Sequence, residues 1–312
     1  MKAILFVGHG SRDPEGNEQI RQFIDQLVPE LAKNVIYETC FLEFERPNIA
    51  KGIDTCIAKG ATSVALVPLM LLPAGHSKIH IPHEIDEAKE KYPAVQFTYG
   101  KPIGIHYEAV DICKNRVLET GEYKEGSDEQ TAVILLGRGG SDADANSDLF
   151  KITRLLWEKL PVPIIETAFI GVTSPSLEET VEKTIRLGAE KVIILPYFLF
   201  TGVLIKRLES MTEQFCLAYP GVSFSLAEYF GFHPKLKTVI KDRVEEVLKG
   251  EVYMNCDTCQ YRFEAMEHID HHHHHDHDDH HHHHDHDDHH HHDHDHHYEH
   301  SHGEESEAAT VK

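Results

Sequence analysis

The chain has 312 residues, enough for two ordinary domains, and a formal charge of −22 at pH 7. Nine aspartates and four glutamates against one lysine place −12 of that charge in Asp270–Lys312; the remaining body is still acidic, which argues against nucleic acid as a partner. No apolar run reaches membrane-spanning length and nothing reads as a signal peptide, so a cytoplasmic protein without a membrane partner is expected.

From the N-terminus, apolar or β-branched runs of strand length occur at Ala3–Gly8, Val35–Leu42, Val64–Leu69 and Val95–Tyr99. Between and after them, helical apolar spacing covers Glu15–Ala32, Asn48–Lys59, His83–Lys91 and His106–Glu119. Asp13-Pro14 reads as an N-cap followed by proline at the first helical position, and Ser174-Pro175 reads the same way further on. Alternation of this kind predicts an α/β fold of Rossmann-like domains, with parallel sheets flanked by helices.

Shifted by about 128 residues, the chain matches itself. Phe41-Leu42 and Pro47 meet Phe169-Ile170 and Pro175. Gly60-Ala61 meets Gly188-Ala189, Lys78 meets Lys206, Gly104-x-His106 meets Gly231-x-His233, and Arg116 meets Arg243. Two tandem copies follow, 1–126 and 127–250, joined through the polar stretch Gly121–Gln130. A short cysteine-bearing segment at 251–267 and a tail at 268–312 complete the chain.

Three polar residues stand at predicted strand ends of the first copy: His9 within Gly8-His9-Gly10-Ser11, Glu43 after Val35–Leu42, and His76 after Val64–Leu72. Loops at the carboxyl ends of parallel strands converge where ligands bind. In the second copy the three become Arg138, Gly171 and Leu204. A residue needed only for folding is needed in both copies, so this loss marks His9, Glu43 and His76 as the candidates for chemistry. Two imidazoles and a carboxylate suit a borderline divalent ion held in an open site, and imidazole also accepts protons near neutral pH. His80 and His83 follow closely and are further candidate donors. His106 and His233 persist in both copies and read as structural. A nucleotide-driven motor is excluded by the lack of any Gly-x4-Gly-Lys-Ser/Thr loop.

The six cysteines do not form a secreted disulfide pattern; Cys40, Cys56, Cys113 and Cys216 lie in or beside apolar segments and read as core. Met254-x-Cys256-x-x-Cys259 admits zinc, an iron–sulfur cluster, a redox pair or a chance spacing, and two thiolates alone complete no four-ligand site. His268–His302 is almost entirely His and Asp, a composition that cannot form a core and predicts a disordered metal-binding tail.

With these residues assembled, the chain resembles the sirohydrochlorin cobaltochelatases in their long, histidine-rich form. These are ATP-independent enzymes of anaerobic cobalamin synthesis, related to the sirohydrochlorin and haem ferrochelatases. The resemblance covers about residues 1–265 and rests on Gly8-His9-Gly10-Ser11-Arg12, Phe41-Leu42-Glu43 and Pro68–His76. It implies insertion of Co2+ into sirohydrochlorin with release of two protons, His9 and His76 holding the metal and His9 accepting protons. Glu43 and the stretch Leu71, Leu72, Pro73, Ala74, Gly75 and His76 would contact the tetrapyrrole, and Met254, Cys256 and Cys259 match a motif associated with a [4Fe–4S] cluster. The family often has Asp-Ile-Pro where this chain has His80-Ile81-Pro82, a departure that touches the role of His80. Because sirohydrochlorin carries many carboxylates, Arg12, Arg46, Lys78, Lys206 and above all Arg138 are expected to supply positive charge. Iron or nickel insertion would use the same residues. A metal storage or delivery chaperone, in which the tail does the work, is the alternative of another class. A homo-oligomer is compatible with the sequence.

Overall fold

The computed structural model describes residues 1–124, 126 and 130–250. The Cys256–Cys259 motif and the His/Asp-rich tail, with its expected disorder, lie outside the described residues. The first half runs β1 (Lys2–Gly8), α1 (Pro14–Leu27), β2 (Val35–Phe41), α2 (Ile49–Ala58), β3 (Ser63–Leu69), α3 (Ile81–Lys91), β4 (Gln96–Tyr99) and α4 (Tyr107–Glu119). The second runs β5 (Thr131–Gly137), α5 (Ala143–Lys159), β6 (Ile164–Phe169), α6 (Leu177–Arg186), β7 (Lys191–Pro196), α7 (Val203–Ala218), β8 (Ser223–Leu226) and α8 (Pro234–Lys249). Each half forms a four-stranded parallel sheet, ordered β2-β1-β3-β4 and β6-β5-β7-β8. No helix among the described residues is long and apolar enough to cross a membrane.

The central strands are unbroken apolar runs because helices cover both of their faces. Their side chains alternate between two destinations. Ile4 and Phe6 of β1 join Val133 and Leu135 of β5 in one inner core. Ala3, Leu5 and Val7 instead meet α2 and α3, while Ala132, Ile134 and Leu136 meet α6 and α7. The inner core belongs to both halves because their last helices cross over: α8 packs on β3, and α4 packs on β7.

Residues repeated between the copies make this exchange reciprocal. Arg116 on α4 donates to Phe230 O at 2.9 Å. Arg243 on α8 donates to Pro102 O at 3.0 Å and Ile103 O at 2.6 Å. His106 and His233 N-cap α4 and α8, each accepting a backbone N–H through Nδ1 at 3.2 Å. Burial pushes the proton affinity of both imidazoles down, which keeps Nδ1 an acceptor. Their Nε2 atoms reach across to Asp242 and Asn115 respectively, each at 3.2 Å. Both histidines therefore serve the fold, as their persistence in the two copies implied.

Three local expectations change. Asp13 does cap α1 with Pro14 behind it, but Ser174-Pro175 does not open α6. Pro175 O still accepts from Phe169 N at 2.9 Å, which keeps it in the loop, and Ser176 is the cap, in a capping box with Glu179. The predicted helix over Glu15–Ala32 ends at Leu27 and tightens into a 3-10 turn over Val28–Glu30. The helix expected from His83 begins earlier, because a single π-helical turn at His76–His80 runs straight into α3.

Arg243 is almost wholly buried, with a side chain 6% exposed, and is paired with Glu246. Arg243→Met leaves two buried carbonyls and a carboxylate short of a donor. We expect it to lower stability by about 3 kcal/mol, read as a fall in the urea unfolding midpoint at unchanged slope.

Candidate functional site

The three strands β2, β1 and β3 end at one level, with Gly8 in register with both Phe41 and Leu69. Backbone pairing continues past that level: Leu42 N donates to Gly8 O at 2.9 Å and Glu43 N to His9 O at 3.1 Å. Gly10 makes the approach feasible. Its φ is +87°, and a Cβ there would stand 1.7 Å from Glu43 O, so no L side chain fits.

This pinched backbone carries His9 Nδ1 to 3.4 Å from Glu43 Oε1 and 3.1 Å from Gly10 O. A carbonyl oxygen only accepts, so the contact with Gly10 O calls for the tautomer with hydrogen on Nδ1. The ring's basic lone pair is then on Nε2. Both side chains are about one-third exposed, at 32% and 33%, while the His9 Nε2 atom itself is buried.

The loop behind His9 is held by two residues that the motif search did not single out. Asn17, 1% exposed, accepts from Ser11 N and donates to Ser11 O, each at 2.8 Å, and donates to Glu45 Oε2 at 2.9 Å. Glu45 also accepts from Arg46 N and Arg21, and these bonds hold its carboxyl below the usual carboxylate range. Asn17 was findable, since Asn146 grips Gly140 N and O in the same way in the second half. Glu45 has Thr173 opposite it in the repeat and left no such trace.

His76 is the first residue of the π-turn; its side chain lies outside the described part of the structure. Ser77 Oγ donates to Ala74 O at 2.9 Å, and Tyr99 OH donates to Ser77 O at 2.6 Å, so the turn is tied to the end of β4. Leu71 and Leu72 pack against the inner core, and Pro73, Ala74 and Gly75 are partly buried. His80 is exposed, and His83 lies 3.5 Å from Glu87 one turn on in α3; both are helical rather than in a loop. Among the described residues, no three His, Cys, Asp or Glu side chains gather as a metal-holding group. His9 and Glu43 alone bring two donors, too few for a closed structural site.

The second half repeats the scaffold without these groups. Gly139, at φ +78°, has Gly171 O 2.3 Å from where its Cβ would be, and exposed Arg138 stands in place of His9. Arg12 lies over the Phe44 ring at 4.9 Å, and Arg46 is exposed. Among the described residues, neither of these nor Arg138 has a carboxylate partner. The two lysines expected to offer charge at the site are engaged elsewhere. Lys78 Nζ lies 2.6 Å from Asp142 Oδ2, and Lys206 Nζ lies 2.6 Å from Asp13 Oδ2. Each lysine thus binds the cap of the other half's first helix, and Lys206 holds the Asp13 carboxyl below the usual range.

A family model described as CbiX matches residues 3–120 and again 132–247. The chain is 65% identical over 272 residues to the sirohydrochlorin cobaltochelatase of Priestia megaterium, covering 87% of this chain and 88% of that protein. It is 39% identical over 255 residues to the sirohydrochlorin ferrochelatase of the same organism, covering 81% and 94%. Among solved structures it superposes on the sirohydrochlorin chelatase SirB from Bacillus subtilis subspecies spizizenii in complex with cobalt. That match has a TM-score of 0.67 and 34% identity, covering 78% of this chain and 94% of that one.

The paired glycines provide a controlled test of the pinch. Gly10→Ala and Gly139→Ala are each expected to cost about 2 kcal/mol or more, since both force a side chain into a positive-φ position against backbone. Only Gly10→Ala should also part His9 from Glu43, seen as a changed His9 ring NMR signal that Gly139→Ala leaves in place.

Proposed function

The chain belongs to the CbiX family, and from that premise we propose that it inserts Co2+ into sirohydrochlorin with release of two protons, without ATP, in the cytoplasmic synthesis of cobalamin. The observation that carries this reading is the imidazole–carboxylate pair His9–Glu43 at 3.4 Å, on the half that kept its polar strand ends. Cobalt rather than iron is favoured by the 65% identity to the cobalt enzyme of one organism against 39% to its iron enzyme.

Metal insertion asks for three things: a weak hold on the ion, removal of two pyrrole protons, and a seat for an acidic macrocycle. His9 and His76 hold the incoming ion, with His76 as the anchor. His9 presents Nε2 either to the ion or to a pyrrole proton, never both at once. Glu43, against the Nδ1–H side of the same ring, stabilises the imidazolium that proton uptake creates. Two imidazoles leave coordination positions open, as a site that releases its metal into a ring requires. Leu71–Gly75 line the macrocycle's approach, and Arg138 meets its carboxylates from the second half.

The [4Fe–4S] cluster implied by Met254, Cys256 and Cys259 is not part of this mechanism. One chain supplies two of the four thiolates there. Cys40, Cys56 and Cys113 are buried, and burial pushes the Cys56 thiol up to about 12, so none is a ready thiolate. Cys216, expected in the core, is exposed on α7.

An anaerobic spectrophotometric assay with sirohydrochlorin and Co2+, Fe2+ or Ni2+ tests the assignment. Cobalt should be inserted fastest. His9→Ala and His76→Ala should each lose about 100-fold or more in turnover while still folding, and Glu43→Gln about tenfold. Near-normal turnover in both histidine variants would overturn the reading. Separately, Arg138→Ala should raise KM for sirohydrochlorin about tenfold with little change in kcat; an unchanged KM would remove Arg138 from the substrate site.

A further inference from the structure

His9 and His76 stand on different strands, and the sheet fixes only one of them closely. The β1–β3 pairing ends at Gly8 and Leu69, directly before His9 but well short of His76. The distance between the two imidazole-bearing segments therefore depends on anchors beyond the ladder. From within their own half, Asn17 holds one segment and Ser77 with Tyr99 the other. Glu43 N also holds His9 O, and Ile103 N and Gly104 N hold Met70 O and Leu71 O, all within the first half; further anchors come from the second half.

We propose that Asp142, and to a lesser degree Lys206, are positioning residues by which the half with no imidazole at its strand ends sets the His9–His76 spacing and so the grip on the metal substrate. This rests on His9 and His76 being the metal-holding pair. Lys78 lies two residues beyond His76 in the same π-turn, and its ammonium meets Asp142 Oδ2 at 2.6 Å, with the side chains only 16% and 7% exposed. Asp142 is itself immobilised. Its Oδ1 caps α5, accepting from Asp144 N at 3.0 Å and Ala145 N at 3.4 Å, while its other oxygen meets Lys78. The mirror arrangement acts on the other segment. Lys206 meets Asp13 Oδ2, whose Oδ1 caps α1 through Glu15 N at 3.1 Å, four residues beyond His9.

The two contacts are not equal. The Lys206 side chain is 52% exposed, so solvent screens that pair. Its segment is also held by direct packing, with Gly16 pressed against Thr201 O, where a Cβ would lie at 2.4 Å. Gln19 Oε1 accepts from Thr201 N at 3.2 Å. The Lys78–Asp142 pair is far less exposed, so Asp142 is expected to have the greater effect.

The test uses the full chain in a metal-buffered insertion assay, because Asp142→Asn keeps a good helix cap and deletes only the charge. It should raise the cobalt KM about tenfold while KM for sirohydrochlorin stays within about twofold. Lys78→Met should do the same, Lys78→Arg should restore most of the loss, and the double variant Lys78→Met/Asp142→Asn should be no worse than either single one. The double variant also leaves no buried charge unpaired, so it reports even if Asp142→Asn folds poorly. Lys206→Met should raise the cobalt KM only about threefold. An unchanged cobalt KM in the double variant, or an equal rise in KM for sirohydrochlorin, overturns the proposal. His76→Ala run alongside separates the two levels. If it keeps normal turnover and cobalt KM, the metal-pair reading falls and takes this proposal with it. If it loses turnover while Asp142→Asn keeps its cobalt KM, only the positioning role falls.

Discussion

Each half gives its last helix to the other half's sheet, and the inner core exists only because of that exchange. α8 covers β3 and α4 covers β7, so Ile4, Phe6, Val133 and Leu135 are buried in one continuous apolar body. Neither half can bury its inner sheet face alone. Buried Arg243 and part-buried Arg116 make the exchange directional as well as apolar: each carries its charge to the opposite half and binds backbone carbonyl oxygen there. A wrong docking would forfeit these bonds to the opposite half's carbonyls.

That dependence makes the second half indispensable to the fold although it carries none of the three polar strand-end groups. Its loop geometry is almost a copy of the first. Gly139 sits against Gly171 O as Gly10 sits against Glu43 O, and Asn146 grips its loop as Asn17 does. The candidate groups at the strand ends differ: His9, Glu43 and His76 are answered by Arg138, Gly171 and Leu204. The scaffold is nearly symmetric but its strand-end groups are not: an imidazole and a carboxylate stand in the first half and an arginine in the second. Under the proposed function this divides the labour between metal and acidic macrocycle. The ion needs neutral nitrogen donors, the ring's carboxylates need fixed cations, and the two would interfere if placed together.

The reciprocal contacts Lys78–Asp142 and Lys206–Asp13 show how the halves also share the neighbourhood of the site. Sequence reasoning treated these lysines as free charge for a polyanion, because a lysine after a strand end looks available in one dimension. Their partners are more than sixty positions away, on caps of the opposite half. Helix caps with a carboxylate have one oxygen for the backbone and one to offer, and here a lysine of the other copy takes the second.

Much of the design was legible in the sequence by itself. Unbroken apolar runs of strand length such as Ile4–Val7 and Val133–Leu136, alternating with helical stretches, point to buried parallel strands. The internal match of the two copies dictated two like domains, and the absence of His9, Glu43 and His76 from one of them singled these three out as candidates. The fold alone decided the rest. No pattern along the chain reveals that α4 and α8 change places, since a helix's apolar stripe does not say which sheet it covers. The His9–Glu43 approach depends on Gly10 lying against a backbone that is distant in sequence. The π-turn that carries His76 depends on Tyr99 and Asp142, which reach it from another strand and another half. Periodicity and composition are local quantities, whereas a site is a meeting of segments whose positions are set by how whole layers pack.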